Sequence, residues 1–312
     1  MSTAIEWTDE TWNPVVGCSI VSPGCKRCYA MKMAHRVGPN FAHYAGLTEL
    51  TKGGPVWTGK VATSPEHIFT APLRWRRPRR IFVNSMSDLF HESIAEETID
   101  RVFAVMALTP HHTYQVLTKR AERMRTYLGG HGTATGRIWF QAMQIAGAVG
   151  IPAEKAGPCM ERVPLPNVWL GVSCERQQEA EERIPQLLAT PAAVRWISAE
   201  PPLWPLRLDG WLRSKPHDTV LDWVVAGGES GPGARPAHPD WFRSLRDQCA
   251  AAGVPYFFKQ WGNWAPFSSE KGGNICHVFR GQSSADDVGM VHYGKKAAGN
   301  LLDGRVHQEW PR

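Results

Sequence analysis

From residue 81 onward, short apolar runs recur along the chain, each followed by polar residues and then by a stretch of helical periodicity. The runs are Ile81 to Val83, Tyr114 to Leu117, Val168 to Val172, Val194 to Ile197, Trp223 to Ala226 and Pro255 to Phe258. Their β-branched and aromatic content, without polar alternation, predicts strands buried on both faces of a parallel sheet. Ser93-Ile94-Ala95-Glu96 has the spacing of a capping box, and Ile99, Val102, Phe103 and Met106 then fall on one helical face. That helix is predicted to stop near Thr109-Pro110, because proline disfavours helical geometry in the residue before it. A second helix is predicted from about Arg176 to Ala189 with Ile184, Leu187 and Leu188 inward, and Pro185 as a kink or as its true start. A third runs from near Asp240 to Ala252 and ends at Gly253.

Strand and helix in alternation predict βα units and a parallel sheet with right-handed crossovers. A short strand ahead of residue 18 brings the supply to six to eight strands. The expected fold class is α/β, a partial or complete parallel (βα) barrel over residues 1–260, with an open doubly wound sheet as the alternative. Insertions at about 38–78 and 129–166, rich in Gly and Pro, are expected as lids around the mouth or as surface decoration. Residues 261–312 are expected as a C-terminal appendage packed on the barrel.

Each predicted strand ends in charged, amide or hydroxyl groups. Asn84-Ser85-Met86-Ser87-Asp88, Thr118-Lys119-Arg120, Ser173-Cys174-Glu175, Ser198-Ala199-Glu200, Gly227-Gly228-Glu229-Ser230-Gly231 and Lys259-Gln260 follow the six runs in turn. In parallel α/β folds that rim binds ligands. Single charges there also serve as helix caps. Gly227-Gly228 lets backbone approach a ligand or simply makes a tight turn, and it lacks the residues of a phosphate loop. Lys259 and Gln260 serve a substrate, or Lys259 neutralises a nearby carboxylate. His91, His111 and His112 have no triad-like context and are read as structural.

The densest chemistry lies before the first of these runs. Cys18, Cys25 and Cys28 place three of seven cysteines within eleven residues. Residues 1–17 carry Glu6, Asp9 and Glu10 and no apolar core segment, so no signal peptide is expected. Apolar runs are only strand-sized, so no membrane helix is expected, and the protein is placed in the cytoplasm. In a reducing compartment, three crowded thiols point to a metal or redox centre rather than a disulfide framework. Cys159, Cys174, Cys249 and Cys276 are scattered and are read as buried or incidental thiols. A structural zinc site needs four ligands, which His35 or His43 would have to complete. An iron-sulfur cluster held by three cysteines leaves one iron open to substrate or cosubstrate.

Net charge is +6, with a pI near 9.0. Arg74, Arg76, Arg77, Arg79 and Arg80 surround Trp75 and Pro78, a composition suited to phosphates and stacked bases or to a solvated turn before a strand.

The cysteine loop resembles that of the radical S-adenosylmethionine superfamily, although its spacing has six rather than three residues before the second cysteine and Arg27 precedes the last. The resemblance implies that Cys18, Cys25 and Cys28 hold a [4Fe-4S] cluster at the end of the first strand of a partial or complete βα barrel. It implies S-adenosylmethionine as cosubstrate on the open iron, and an electron donor of the flavodoxin or ferredoxin type. Reductive cleavage of S-adenosylmethionine would then start radical chemistry on a substrate, a nucleic acid or nucleotide being suggested by the charge. Asp88, Glu200 and Glu229 are the expected contacts for its ammonium or ribose, Ser85 and Ser173 for its hydroxyls, Lys119 or Arg120 for its carboxylate, and Gly227 and Gly228 for close backbone approach.

More narrowly, Trp12-Asn13-Pro14 through Cys28-Tyr29-Ala30, Ser87-Asp88-Leu89-Phe90, Leu117-Thr118-Lys119-Arg120, Leu170-Gly171-Val172-Ser173, Ser198-Ala199-Glu200-Pro201, Gly227 to Gly231 and Lys259-Gln260-Trp261-Gly262 are similar to a phage-associated family of domains of unknown function. That likeness leaves the substrate and the oligomeric state open. Two other functions compete on the residues alone: a zinc or iron-sulfur nucleic-acid-binding protein without catalysis, and a [4Fe-4S] hydro-lyase using the open iron as a Lewis acid.

Overall fold

The structure, a computed structural model, describes residues 3, 5–130, 133–152, 164–212 and 219–311. It divides into two compact units, Met1–Val172 with Arg183–Arg195, and Ser173–Glu182 with Trp196–Arg312.

The fold is mixed α/β, and its main sheet has seven strands. These are β1 (Glu10–Trp12), β6 (Arg80–Val83), β7 (Thr113–Thr118), β8 (Val168–Ser173), β9 (Val194–Ala199), β10 (Trp223–Ala226) and β11 (Tyr256–Phe258), hydrogen-bonded in that order. Strands β2 (Val15–Val16), β3 (Thr48–Thr51), β4 (Gly54–Trp57) and β5 (Ala62–Thr63) intervene in sequence and form separate two-stranded pairs, β2 with β5 and β3 with β4. The order rises without reversal, and the pairings of β1 with β6, β6 with β7 and β7 with β8 are parallel. A doubly wound sheet would reverse at a switch point, whereas the order rises without reversal within each unit, β1-β6-β7-β8 in the first and β9-β10-β11 in the second. All six predicted runs become strands, because each is an apolar stretch too short for a helix and is bounded by turn residues.

In the first unit, α1 (Tyr29–Val37) follows the cysteine loop, and the short α2 (Glu66–Phe69) precedes β6. Helix α3 (Glu96–Leu108) buries Ile99, Val102, Phe103 and Met106 as predicted and stops at Thr109. Its start differs from the capping-box prediction. Ala95, not Ser93, is the N-cap, because the Ser93 amide donates to His91 Nδ1 at 3.2 Å and is held in the preceding turn. Helix α4 (Ala121–Gly129) follows β7, and α5 (Thr133–Val149) lies in the second predicted insertion and packs on α3. There Arg137 pairs with Asp100 at 2.9 Å. Cys159 and the rest of that insertion's centre, 153–163, lie outside the described residues.

Helix α6 (Gln177–Leu188) forms where predicted, with Pro185 inside it. Ile184 and Leu187 are buried, and Leu188 is half-buried. In the second unit, α7 (Pro239–Ala252) ends on Gly253 at φ +66°, the left-handed position that favours glycine. Beyond β11, strands β12 (Trp264–Pro266), β13 (His277–Phe279) and β14 (Val288–His292) make a small antiparallel sheet, followed by α8 (Lys295–Ala298). The chain then returns to β11 through a bridge between Phe257 and Gln308, with Trp310 stacked on Trp223. Among the described residues no helix is long and apolar enough to cross a membrane.

Candidate metal centre and strand-end rims

The cysteine loop is pinned by short polar residues on either side of it. Asn13 Oδ1 accepts from Ser85 Oγ at 3.2 Å and from the Met86 amide at 2.9 Å, and Ser87 Oγ donates to the Val15 carbonyl at 2.8 Å. The Gly17 amide then donates to the Met86 carbonyl at 3.0 Å. Gly17 sits at φ +93°, and a Cβ there would stand 2.2 Å from the Lys60 carbonyl oxygen, so no other residue fits this corner. These bonds hold the loop beside the C-terminal end of β6.

Cys18 leaves the corner half-buried, and a 3-10 turn over Pro23–Arg27 carries Cys25 before Cys28 caps α1. The Cys25 amide donates to the Ser22 carbonyl at 2.9 Å and the Cys28 amide to the Cys25 carbonyl at 3.1 Å. Helix α1 buries Ala30, Met31 and Ala34 against Val16, Leu47, Trp57 and Met86, with Cys18 and Cys28 packed on the same cluster. Trp57 ends β4, so the β3–β4 hairpin of the first predicted insertion covers α1.

Two cations from the segment after β7 reach this loop. Arg120, buried, directs Nη1 at Cys18 Sγ (3.8 Å) and Nη2 at Ser19 Oγ (2.6 Å). Lys119 Nζ donates to Ser22 Oγ at 3.3 Å, and Ser22 Oγ lies 3.7 Å from Cys25 Sγ. Asp88 fixes both cations. Its Oδ1 accepts from the Phe90 amide (3.0 Å) and Thr118 Oγ1 (2.6 Å), and its Oδ2 from the Lys119 amide (2.9 Å) and Arg120 Nη1 (3.0 Å). Four bonds fill the acceptor positions of a carboxylate. Glu92 adds a forked contact to Arg120 Nε at 2.8 and 2.9 Å, and His91 Nε2 meets Ser19 Oγ at 3.0 Å.

The three thiols differ electrostatically. Burial, helped by the Asp88 charge and opposed by Arg120, pushes Cys18 up to about 12. Burial also raises Cys28, against backbone hydrogen bonds from Ala30 and Met31 at the start of α1. Cys25 moves the other way: burial alone would raise it, but the Lys119 ammonium and hydrogen bonds from Val21 and Ser22 outweigh burial and lower it. Burial lowers Lys119 in turn, resisted by Cys25, Cys28 and Asp88.

Cys18, Cys25, Cys28, Cys174, Cys249 and Cys276 are all free thiols. Of the scattered ones, Cys174 and Cys249 are buried and Cys276 is exposed. Among the described residues no group of three or more His, Cys, Asp or Glu side chains stands arranged to hold a metal ion. The chemistry of the cysteine donors nonetheless fits an iron-sulfur group: three thiols on one loop, in no disulfide, with two cations to offset the negative charge of bound thiolates. Of the histidines considered for a zinc site, His35 Nδ1 lies 3.4 Å from Thr48 Oγ1, and His43 packs on Phe41 and Tyr44.

The second unit collects the other candidates. Ser173 is buried at the end of β8. Glu200 accepts from Ser198 Oγ at 3.0 Å and pairs with Lys259 Nζ at 3.0 Å. Gly227 makes room for that pair, since a Cβ on it would stand 2.9 Å from Glu200 Oε1. Gly228 is needed for a different reason: its Cβ would fall 1.9 Å from the Trp261 carbonyl oxygen. Gln260 closes the turn, its carbonyl accepting from the Gly228 amide at 2.8 Å and its Nε2 donating to the Gly228 carbonyl at 3.1 Å. Glu229 is gripped by Arg235 through the backbone amide (2.7 Å), Nε (2.9 Å) and Nη2 (2.6 Å).

The arginine-rich segment lies at the other end of β6 from Asp88. Arg79 pairs with Glu10 at 3.0 Å and Arg80 with Asp9 at 3.1 Å, stapling β1 to β6, while Arg74, Arg76 and Arg77 are exposed.

Sequence reasoning missed Ser19, Ser22, Glu92 and Arg235, read His91 as structural, and placed Thr118 on the strand-end rim without giving it a role. Ser19 and Ser22 were visible as the hydroxyls between the cysteines. Glu92 and His91 touch the site through contacts 28 and 72 residues away in sequence, respectively.

Comparison with curated proteins and with solved structures returned no match. Residues 2–311 match the model of a family described as "Protein of unknown function (DUF5131)". Over nearly its whole length, therefore, this chain belongs to the DUF5131 family.

Proposed function

We propose that the chain is an iron-sulfur enzyme of the radical S-adenosylmethionine type, with Cys18, Cys25 and Cys28 as ligands of a [4Fe-4S] cluster and a nucleic acid or nucleotide as substrate. The observation that carries the reading is the approach of Arg120 to Cys18 and of Lys119, through Ser22, to Cys25. Cations placed against the cysteine loop stabilise thiolates and lower the cost of holding an anionic group there. When bound, the cluster supplies one electron, received from a flavodoxin- or ferredoxin-type donor, for reductive cleavage of S-adenosylmethionine.

The chain's own residues take separate parts in this reading. Asp88, with its acceptor positions filled, positions Lys119 and Arg120 rather than contacting the cosubstrate. Glu229, committed to Arg235, shapes its turn. Glu200, half-buried, pairs with Lys259 at 3.0 Å within the second unit.

Anaerobic reconstitution is the test. The expected product is a brown protein with about four irons per chain that yields 5′-deoxyadenosine when reduced in the presence of S-adenosylmethionine. Cys25→Ser is expected to abolish both iron retention and that product. A colourless protein with one tightly bound zinc overturns the reading. An intact cluster that gives no 5′-deoxyadenosine overturns the radical chemistry and leaves the Lewis-acid use of iron.

A further inference from the structure

From Thr11 to Thr48 the chain carries no Asp or Glu, yet it carries Lys26, Arg27, Lys32 and Arg36. All four are exposed. Tyr29, Lys32, Met33 and Arg36 fall at i, i+3, i+4 and i+7 on α1, which places them on one face, opposite the buried Ala30, Met31 and Ala34. Tyr29 is 52% exposed although its hydroxyl donates to the Ser85 carbonyl at 3.0 Å, so the ring is fixed in place while much of it stays in solvent. Ile20 and Val21, also exposed, extend this surface onto the loop between Cys18 and Cys25.

We propose that the outer face of α1, with Lys26 and Arg27 of the preceding turn, binds a single-stranded nucleic acid and leads it to the cysteine loop. The proposal rests on the reading of that loop as the reaction site and deepens it by naming a polymer as the substrate. The four cations pair with successive phosphates, the Tyr29 ring receives an unstacked base, and Ile20 and Val21 meet bases and sugars beside the cysteines. Nine residues of α1 span about 13 Å, against about 3.4 Å of rise per phosphate along one strand of a duplex, so the face is longer than a mononucleotide needs. Positive charge alone would also attract an acidic protein. The exposed tyrosine set between Arg27 and Lys32 is the feature that suits a base. The other basic segment lacks it: Trp75 is half-buried, and the Arg79 guanidinium already lies 5.0 Å from its ring centre.

The test is fluorescence anisotropy of the full chain with a labelled mixed-sequence single strand, titrated with salt, using a hairpin duplex and polyglutamate as competitors. Each phosphate contact on a single strand contributes about −0.7 to the slope of log K against log salt. The quadruple variant Lys26→Glu, Arg27→Glu, Lys32→Glu, Arg36→Glu is expected to flatten the slope by about 2 to 3 and to weaken binding more than about tenfold. Tyr29→Ala is expected to weaken binding about fivefold or more without changing the slope, and Tyr29→Phe, which keeps the ring and loses only the bond to Ser85, is expected to restore it. Arg76→Glu with Arg77→Glu is expected to leave the slope unchanged. Far-ultraviolet circular dichroism checks that each variant is folded. No binding by the wild type, equal displacement by polyglutamate, tighter binding of the duplex, or a slope carried by Arg76 and Arg77 would each overturn the proposal. Cleavage of S-adenosylmethionine without oligonucleotide binding sinks this surface alone, and binding without cleavage sinks the radical chemistry alone.

Discussion

In the first unit the segment after β7 sends Lys119 and Arg120 toward sulfur, whereas in the second the segment after β11 sends Lys259 to the Glu200 carboxylate. Both segments follow parallel strands, and both place a cation beside an acid. The difference lies in what the acid is left to do. Asp88 is only 7% exposed at its side chain, takes four bonds, and acts as the post on which two cations are hung. Glu200 and Lys259 are 15% and 17% exposed, with Gly227 keeping the space beside them clear of a side chain. The first arrangement spends its polar groups on holding the cysteine loop, while the second keeps a charge pair within reach of solvent.

The sharpest way to break this comparison is Arg120→Met, which leaves the Asp88 charge buried without its cation. Breaking a buried pair from one side costs about 3–5 kcal/mol, so the urea midpoint should drop steeply, and reconstituted protein should retain less iron than wild type. Lys259→Met strands a more accessible carboxylate and should cost less. If Lys259→Met proves as damaging as Arg120→Met, the two rims do the same structural job and the distinction fails.

How far each rim was legible in the sequence follows from the range of its contacts. Strands β6 to β11 were readable because each is a compact apolar run, and their terminal polar groups came with them. Asp88 was readable as a strand-end acid but not as a saturated one, because three of its donors lie 30 to 32 residues downstream. His91 was set aside for want of local context, yet it meets Ser19 between the cysteines and takes the Ser93 amide that a capping box would have used. Of five clustered arginines, Arg79 and Arg80 turned out to be spent on Glu10 and Asp9, a pairing fixed only once β1 and β6 lie in register.

The Glu200–Lys259 pair can be measured directly with a double-mutant cycle of Glu200→Gln and Lys259→Met. A coupling of about 1 kcal/mol is expected for two groups in contact at this depth. A coupling near zero would show that each is held by its other neighbours, and Glu200 would then lose its standing as the acid with charge to offer a ligand.

The smallest effect belongs to the most exposed acid of the series, Asp303, whose side chain is 38% exposed. It meets Arg243 at 2.7 Å and Arg246 at 2.6 Å on α7. The Arg243 hydrogen bond, opposed by burial and supported by Arg246, lowers its carboxyl from the ordinary 3.8 to about 2. Because the folded value lies below the unfolded one, the stabilisation is complete above about pH 4 and is lost as pH falls toward 2, where the unfolded chain takes up the proton first. Solvent screening limits it to under about 1 kcal/mol, and added salt should erode it further. Asp303→Asn should therefore shift the urea midpoint slightly at pH 7 in low salt and hardly at all at pH 2. Were Asp303→Asn to cost as much as Arg120→Met, burial would not be what ranks these pairs, and the contrast between a buried post and an accessible charge would have to be rebuilt on local geometry instead.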